Sequence, residues 1–159
     1  MNTTTIEDPM DPFSKPIKTI QHKLATQFFF EPRRNPKKPG REILVNYDSR
    51  FPLVEDFELR YSYSVRFYEA GNTAGNHYHH HKKELFIPTV GDFVVTLEDI
   101  ETKVRETIEL KSSENSMLFV NTPIAHAVTS SQAGSLLLVF ASSPNTDADQ
   151  YDYSLISHR

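Results

Sequence analysis

The sequence predicts an all-β protein, a small barrel or jelly roll, and three observations carry that reading. Short apolar or alternating segments recur from Glu42 to Phe140, separated by turn signals, with hardly a helical stretch among them. One segment, FELRYSYSVRFY at residues 57–68, alternates with a strict period of two. Six of the ten prolines fall in residues 1–40, a density that forbids long helices and central strands there.

At 159 residues the chain is expected to form one main domain, residues 41–159, preceded by a proline-rich arm over residues 1–40. In the arm, Ile17–Ile20 and Thr26–Phe30 are short extended pieces, and Phe28-Phe29-Phe30 is too apolar to be left in water. The basic run Arg33, Arg34, Lys37, Lys38 and Arg41 reads either as a solvated loop or as a phosphate-contacting patch. Ile43–Val45 is a short strand. In residues 57–68, Phe57, Leu59, Tyr61, Tyr63, Val65 and Phe67 are expected to share the inward face. A loop is expected over Gly71–Asn76, followed by strands at Glu84–Pro88 and Phe93–Asp99 with a turn at Gly91-Asp92. Further strands follow at Val104–Leu110, Met117–Val120, Ala127–Ser130 and Ser135–Phe140. The acidic tail from Ser142, with two tyrosines, reads as a short helix or a docking strand.

Composition narrows the function. Seventeen basic against 21 acidic residues give a net charge of −4, which excludes a generally basic nucleic-acid binder. With no cysteine, disulfides and thiolate metal sites are excluded, so a metal would take nitrogen and oxygen ligands. The N-terminus MNTTTIEDPMDPF has neither a basic nor an apolar leader segment, and no apolar run reaches membrane-spanning length. A soluble, cytoplasmic protein without membrane partners is the expectation.

Four of the seven histidines stand in one stretch, at His77, His79, His80 and His81, with Glu84 just beyond and His126 far along the chain. In an extended segment His77 and His79 point to one side, Glu84 returns after a bend, and His126 precedes a strand that lies across a barrel. Three imidazoles and a carboxylate form a first shell for one divalent transition metal, Zn, Fe, Ni or Mn. The competing reading is a histidine-rich loop that captures metal only adventitiously.

The spacing Gly71-x5-His77-x-His79-x4-Glu84-x6-Gly91 resembles the first motif of the cupin superfamily, and Asn121–His126 resembles the second without its usual glycine. The resemblance covers about residues 57–140 and implies a double-stranded β-helix of the RmlC-like jelly-roll kind. It implies a metal held by His77, His79, Glu84 and His126. Within that superfamily, AGNHYHHHKKE and the ending LLLVFASSPNTDADQYDYSLI are most similar to nucleotide-sugar-modifying cupins of polysaccharide biosynthesis. Two departures from the ketoisomerase pattern, Ala74 where an arginine is usual and a retained Glu84, favour metal binding.

The function expected is an isomerase or epimerase acting on a sugar or nucleotide sugar by metal-assisted proton abstraction next to a carbonyl. His80 or His81 is the candidate base, His81 foremost, and Tyr63 the candidate donor to the developing oxyanion. An iron-dependent dioxygenase on the same four ligands and a non-catalytic small-molecule-binding cupin are the alternatives. A homodimer with exchanged N-terminal arms is the expected assembly.

Overall fold

The computed structural model describes residues 12–157. After one short 3-10 turn at Pro12–Ser14, the strands are β1 Lys18–Gln21, β2 Ala25–Phe29, β3 Arg33–Arg34, β4 Glu42–Ile43, β5 Tyr61–Phe67 and β6 Thr73–Tyr78. They continue as β7 Glu84–Val90, β8 Asp92–Asp99, β9 Arg105–Lys111, β10 Ser116–Val120, β11 Ile124–Ser130, β12 Ser135–Ala141 and β13 Tyr151–Asp152. Two sheets face each other, one ordered β1-β2-β10-β7-β12-β5 and the other β13-β6-β11-β8-β9, and all the strand pairs are antiparallel. This is the all-β jelly-roll barrel the sequence predicts.

The alternation of each strand decides what fills the barrel. Phe86, Leu118, Val120, Leu137 and Val139 from the first sheet meet Phe93, Val95, Leu97, Ile108, Leu110 and Val128 from the second in one buried cluster. β7 and β10 are buried on both faces, so they read as continuous apolar runs rather than alternating ones. Their other faces, Leu85, Ile87, Met117 and Phe119, join Phe28, Phe30 and Phe57 in a second cluster on the outside of the six-stranded sheet.

Four local expectations change. The strand expected over residues 57–68 begins only at Tyr61, and Phe57 and Leu59 lie in the outer cluster rather than inward with Tyr63. Residues 51–60 run irregularly over that outer face, where Phe57 sits edge-on to Phe119 with ring centroids 5.9 Å apart. The loop expected over Gly71–Asn76 is strand β6 from Thr73 onward, which pairs with β11. The boundary at residue 40 falls within the sheet order: β2 pairs with β10 from Ala25 to Phe29 in the same sheet as β7 and β12. The basic run is partly β as well, since Arg33 and Arg34 pair with Ile43 and Glu42 in a small exposed ribbon.

The β6–β11 pairing contains the irregularity that positions the site. His126 is opposite His77, whereas Ala127 is opposite Gly75, so Asn76 is an extra residue on β6. Gly75 and Asn76 take φ of +93° and +62°, and a Cβ at Gly75 would lie 2.6 Å from the His126 carbonyl oxygen. The extra residue resets the alternation, so Ala74 and His77, three apart, both line the interior. Asn76 meanwhile turns to the tail, donating to the Ile156 carbonyl at 2.9 Å and accepting from the Leu155 and Ile156 N–H groups.

Candidate active site

His77 is the last residue but one of β6, His79 follows in the turn, Glu84 opens β7 and His126 lies in β11. The structure brings these four together. Ring centroids of His77 lie 4.8 Å from His79 and 4.7 Å from His126, and the three imidazoles present ligand atoms all within 4.8 Å of one another. Glu84 Oε2 lies 3.2 Å from His126 Nε2 and 3.8 Å from His79 Nε2. Tyr63 reaches the same cluster from β5 and donates its hydroxyl to Glu84 Oε1 at 2.8 Å. His80 and His81 do not: both are exposed, and neither lines the cavity in front of the cluster. What fixes them is the backbone, since their N–H groups donate to the Asp149 carboxylate.

A cavity of about 170 Å³ opens in front of this cluster. Its walls combine apolar side chains, Val65, Phe86, Val128, Leu137 and Val139, with His77, His126, Glu84, Lys82 and Tyr63. Asn145 and Gln150 of the C-terminal segment complete the rim.

Four residues of this site carry no signal in the histidine motif. Lys82, only 4% exposed, places Nζ 3.1 Å from Glu84 Oε1 and 2.7 Å from Asn145 Oδ1. Asp149, from the tail, accepts from the N–H groups of His80, His81 and Lys82, and its carbonyl oxygen accepts a short hydrogen bond from His79 Nδ1. The acidic, tyrosine-bearing tail expected as a short helix or a docking strand has both, a 3-10 turn at Asp147–Asp149 and β13 on the edge of β6. Its contribution to the site through Asn145, Asp149 and Gln150 is visible only once the chain is folded, about seventy residues from the turn it holds.

The electrostatics follow from burial and neighbours. Burial lowers the pKa of His77 to about 3, helped by the charges of His126 and His79, and burial likewise lowers that of His79. Both rings are neutral at physiological pH. Because a carbonyl can only accept, His79 Nδ1 carries the proton, which leaves Nε2 as a lone pair, and that atom is buried with no hydrogen-bond partner. Burial alone would raise the Glu84 carboxyl, but the His126 hydrogen bond and charge and then Lys82 outweigh it and hold the group ionised. Burial first, then the Glu84 charge and hydrogen bond, push the Tyr63 phenol well above its ordinary value, so it stays protonated.

The donor set fits a divalent transition metal at three points. His79 offers an unpartnered Nε2 in a fixed tautomer, and His77 and His126 stand within reach of the same point. Glu84 is differently placed, because its oxygens already take Tyr63, Lys82 and His126.

Residues 42–157 match the model of the FdtA family, described as WxcM-like, C-terminal. The chain belongs to the FdtA family. Solved structures share the fold of this FdtA-family chain, the jelly-roll fold that the resemblance of the histidine motif implies. A dTDP-4-dehydrorhamnose 3,5-epimerase from Bacillus anthracis superposes with a TM-score of 0.73 at 12% identity, covering 89% of this chain and 92% of that one. QdtA, a sugar 3,4-ketoisomerase from Thermoanaerobacterium thermosaccharolyticum in complex with TDP, gives 0.66 at 17% identity, over 84% and 91%. A 3,4-ketoisomerase from Helicobacter canadensis gives 0.66 at 18% identity, over 79% and 88%. At these identities the likeness is one of fold. No curated protein sequence matches the chain.

Proposed function

We propose that the protein is an isomerase or epimerase of keto-sugars carried on a nucleotide, moving a proton on a carbon next to the carbonyl. The observation that carries this reading is the pairing, on one cavity, of a neutral imidazole from one sheet with a protonated phenol from the other, His77 and Tyr63. Family membership and the fold shared with 3,4-ketoisomerases and 3,5-epimerases support the substrate class.

In this reading His77 is the base. It is the half-buried member of the triad, whereas His79 and His126 are buried behind it. Its ring is free to take a proton at any pH above about 4, and an anionic sugar nucleotide in the cavity raises its basicity by the charge effect that His126 and His79 exert in the opposite sense. Tyr63 Oη holds a proton on Glu84 Oε1 and can turn it to the sugar oxygen as negative charge develops there. The apolar walls exclude water from the enediol so formed. His81, exposed and outside the cavity lining, has no part in this mechanism.

A second reading is favoured by the orphaned Nε2 of His79. Here His77, His79 and His126, with Glu84 beside them, hold one divalent metal, Zn, Fe, Ni or Mn. Such an ion would supply Lewis-acid polarisation of the keto oxygen. One experiment decides between the readings. Chelator-stripped protein is incubated with TDP-4-keto-6-deoxyglucose in D₂O, with and without added metal, and followed by proton NMR. Deuterium at C3 or C4 indicates ketoisomerisation, and at C3 and C5 with the carbonyl retained at C4, epimerisation. Exchange in stripped protein supports the His77 base, and exchange only with metal supports the ion. No exchange in either case overturns the isomerase reading.

We also propose a homodimer. The outer edge of β1 is unpaired within the described chain, and Ile17, Ile43 and Leu44 are exposed at 68%, 53% and 43%. Light scattering at the monomer mass would overturn this.

A further inference from the structure

We infer that Lys82 is the site's resident cation and sets how weakly the imidazole cluster binds a divalent metal. The inference rests on the three-histidine ion set described above and not on the sugar chemistry.

Lys82 is a buried ammonium on the one carboxylate of the cluster. Its Nζ lies 3.1 Å from Glu84 Oε1, donates to Asn145 Oδ1 at 2.7 Å, and sits 5.9 Å over the Tyr63 ring. Lys82 and Glu84 are 4% and 2% exposed, so water screens their charges little. The position is also fixed from behind. The Lys82 N–H donates to Asp149 Oδ2 at 2.9 Å, and Lys83 N–H donates to Ser142 Oγ at 2.9 Å. These bonds hold the backbone of the turn from which the Lys82 side chain enters the cluster.

Two consequences follow for a metal among the imidazoles. Glu84 Oε2 lies 3.2 and 3.8 Å from the Nε2 atoms of His126 and His79, so an ion held by those nitrogens sits beside the carboxylate that Lys82 already neutralises. The ion gains little from Glu84 and is repelled by the ammonium. Removing the lysine charge leaves only the Tyr63 hydroxyl on Glu84 Oε1, so the carboxylate keeps its full charge and Oε2 can join the three imidazoles. The charge, and not the bulk of Lys82, keeps the metal affinity low.

The test is zinc titration by calorimetry of the full chain, purified without a nickel column and stripped with chelator. Wild type is compared with Lys82→Met, Lys82→Gln and Lys82→Arg. Lys82→Gln keeps a hydrogen-bond donor for Glu84 should Lys82→Met fail to fold. The neutral variants are expected to bind zinc at least tenfold more tightly than wild type, and Lys82→Arg within about threefold of it. Equal affinity in all chains would overturn the inference while leaving the three-histidine metal set standing. Zinc bound by none of them would overturn both. The sugar-exchange experiment is independent of either outcome.

Discussion

His77 shows how the same imidazole changes character with its surroundings. In an unfolded chain it titrates near 6.5, and in the fold near 3, because burial and two neighbouring histidines disfavour its charge. Between these values the unfolded state binds the extra proton, so stability is full above about pH 6.5 and falls as the pH drops toward 3. Glu84 adds to this on the acid side, since its ionised form is held in the fold and its contribution is lost as pH falls below the ordinary carboxylate value of 4.5. Urea midpoints measured from pH 8 to pH 4 should be flat at first and then decline. A rise on acidification would contradict the assignment. Asp149 is the second residue whose removal should be felt. Asp149→Ala deletes three hydrogen bonds from backbone N–H groups to a carboxylate, each worth about 1.5–3 kcal/mol when charged and buried. A fall in Tm of several degrees, with Asp149→Asn intermediate, is expected by calorimetry. The histidines and Glu84 were legible because their spacing is local and chemically unusual. Lys82 and Asp149 were not, because a lysine next to another lysine reads as solvated, and an aspartate in an acidic tail has nothing in the sequence to tie it to a turn about seventy residues away.

At the scale of elements, the bulge in β6 determines the geometry of the site. Gly75 takes φ of +93° with the His126 carbonyl 2.6 Å from where a Cβ would stand, so Gly75→Ala is both strained and obstructed. Backbone strain alone costs about 1–3 kcal/mol, and relief requires β6 and β11 to part beside His126. Chemical denaturation should show at least that loss, and sugar exchange should fall with it. A Gly75→Ala chain of wild-type stability would show that the bulge does not hold the strands so closely. The alternation of β7 through β12 was readable from period-two and continuous apolar patterns. The bulge was hidden because its glycine and asparagine look like a loop, and Gly71–Asn76 is expected as one on that ground. β2 was legible as the extended piece Thr26–Phe30, but its place in the main sheet was obscured, since prolines on either side make residues 1–40 look detached. Phe28 and Phe30 are in fact buried at 6% exposure each, a gain of roughly 1.5–3 kcal/mol per side chain. Deleting residues 1–40 should therefore yield an unfolded or aggregated chain by circular dichroism. A folded, soluble 41–159 chain would contradict the place of β2 in the sheet.

For the molecule as a whole, two facing sheets create an apolar barrel whose open end gathers imidazole, phenol, carboxylate and ammonium from five places in the chain. The C-terminal segment then closes over that end. Among the described residues no helix is long and apolar enough to cross a membrane. The all-β class and the barrel could be read from strand patterns, and the site's histidines from their spacing. Which polar group neutralises which depends on how the barrel end closes, and that is a property of the fold. The central claim is that this closed end moves a sugar proton, with His77 taking it. The most direct measurement is solvent deuterium wash-in to TDP-4-keto-6-deoxyglucose, compared between wild type and His77→Asn at matched metal content. The account predicts exchange by wild type and a loss of about 10²–10⁴-fold in a variant of unchanged Tm. Exchange at the wild-type rate in His77→Asn would contradict it.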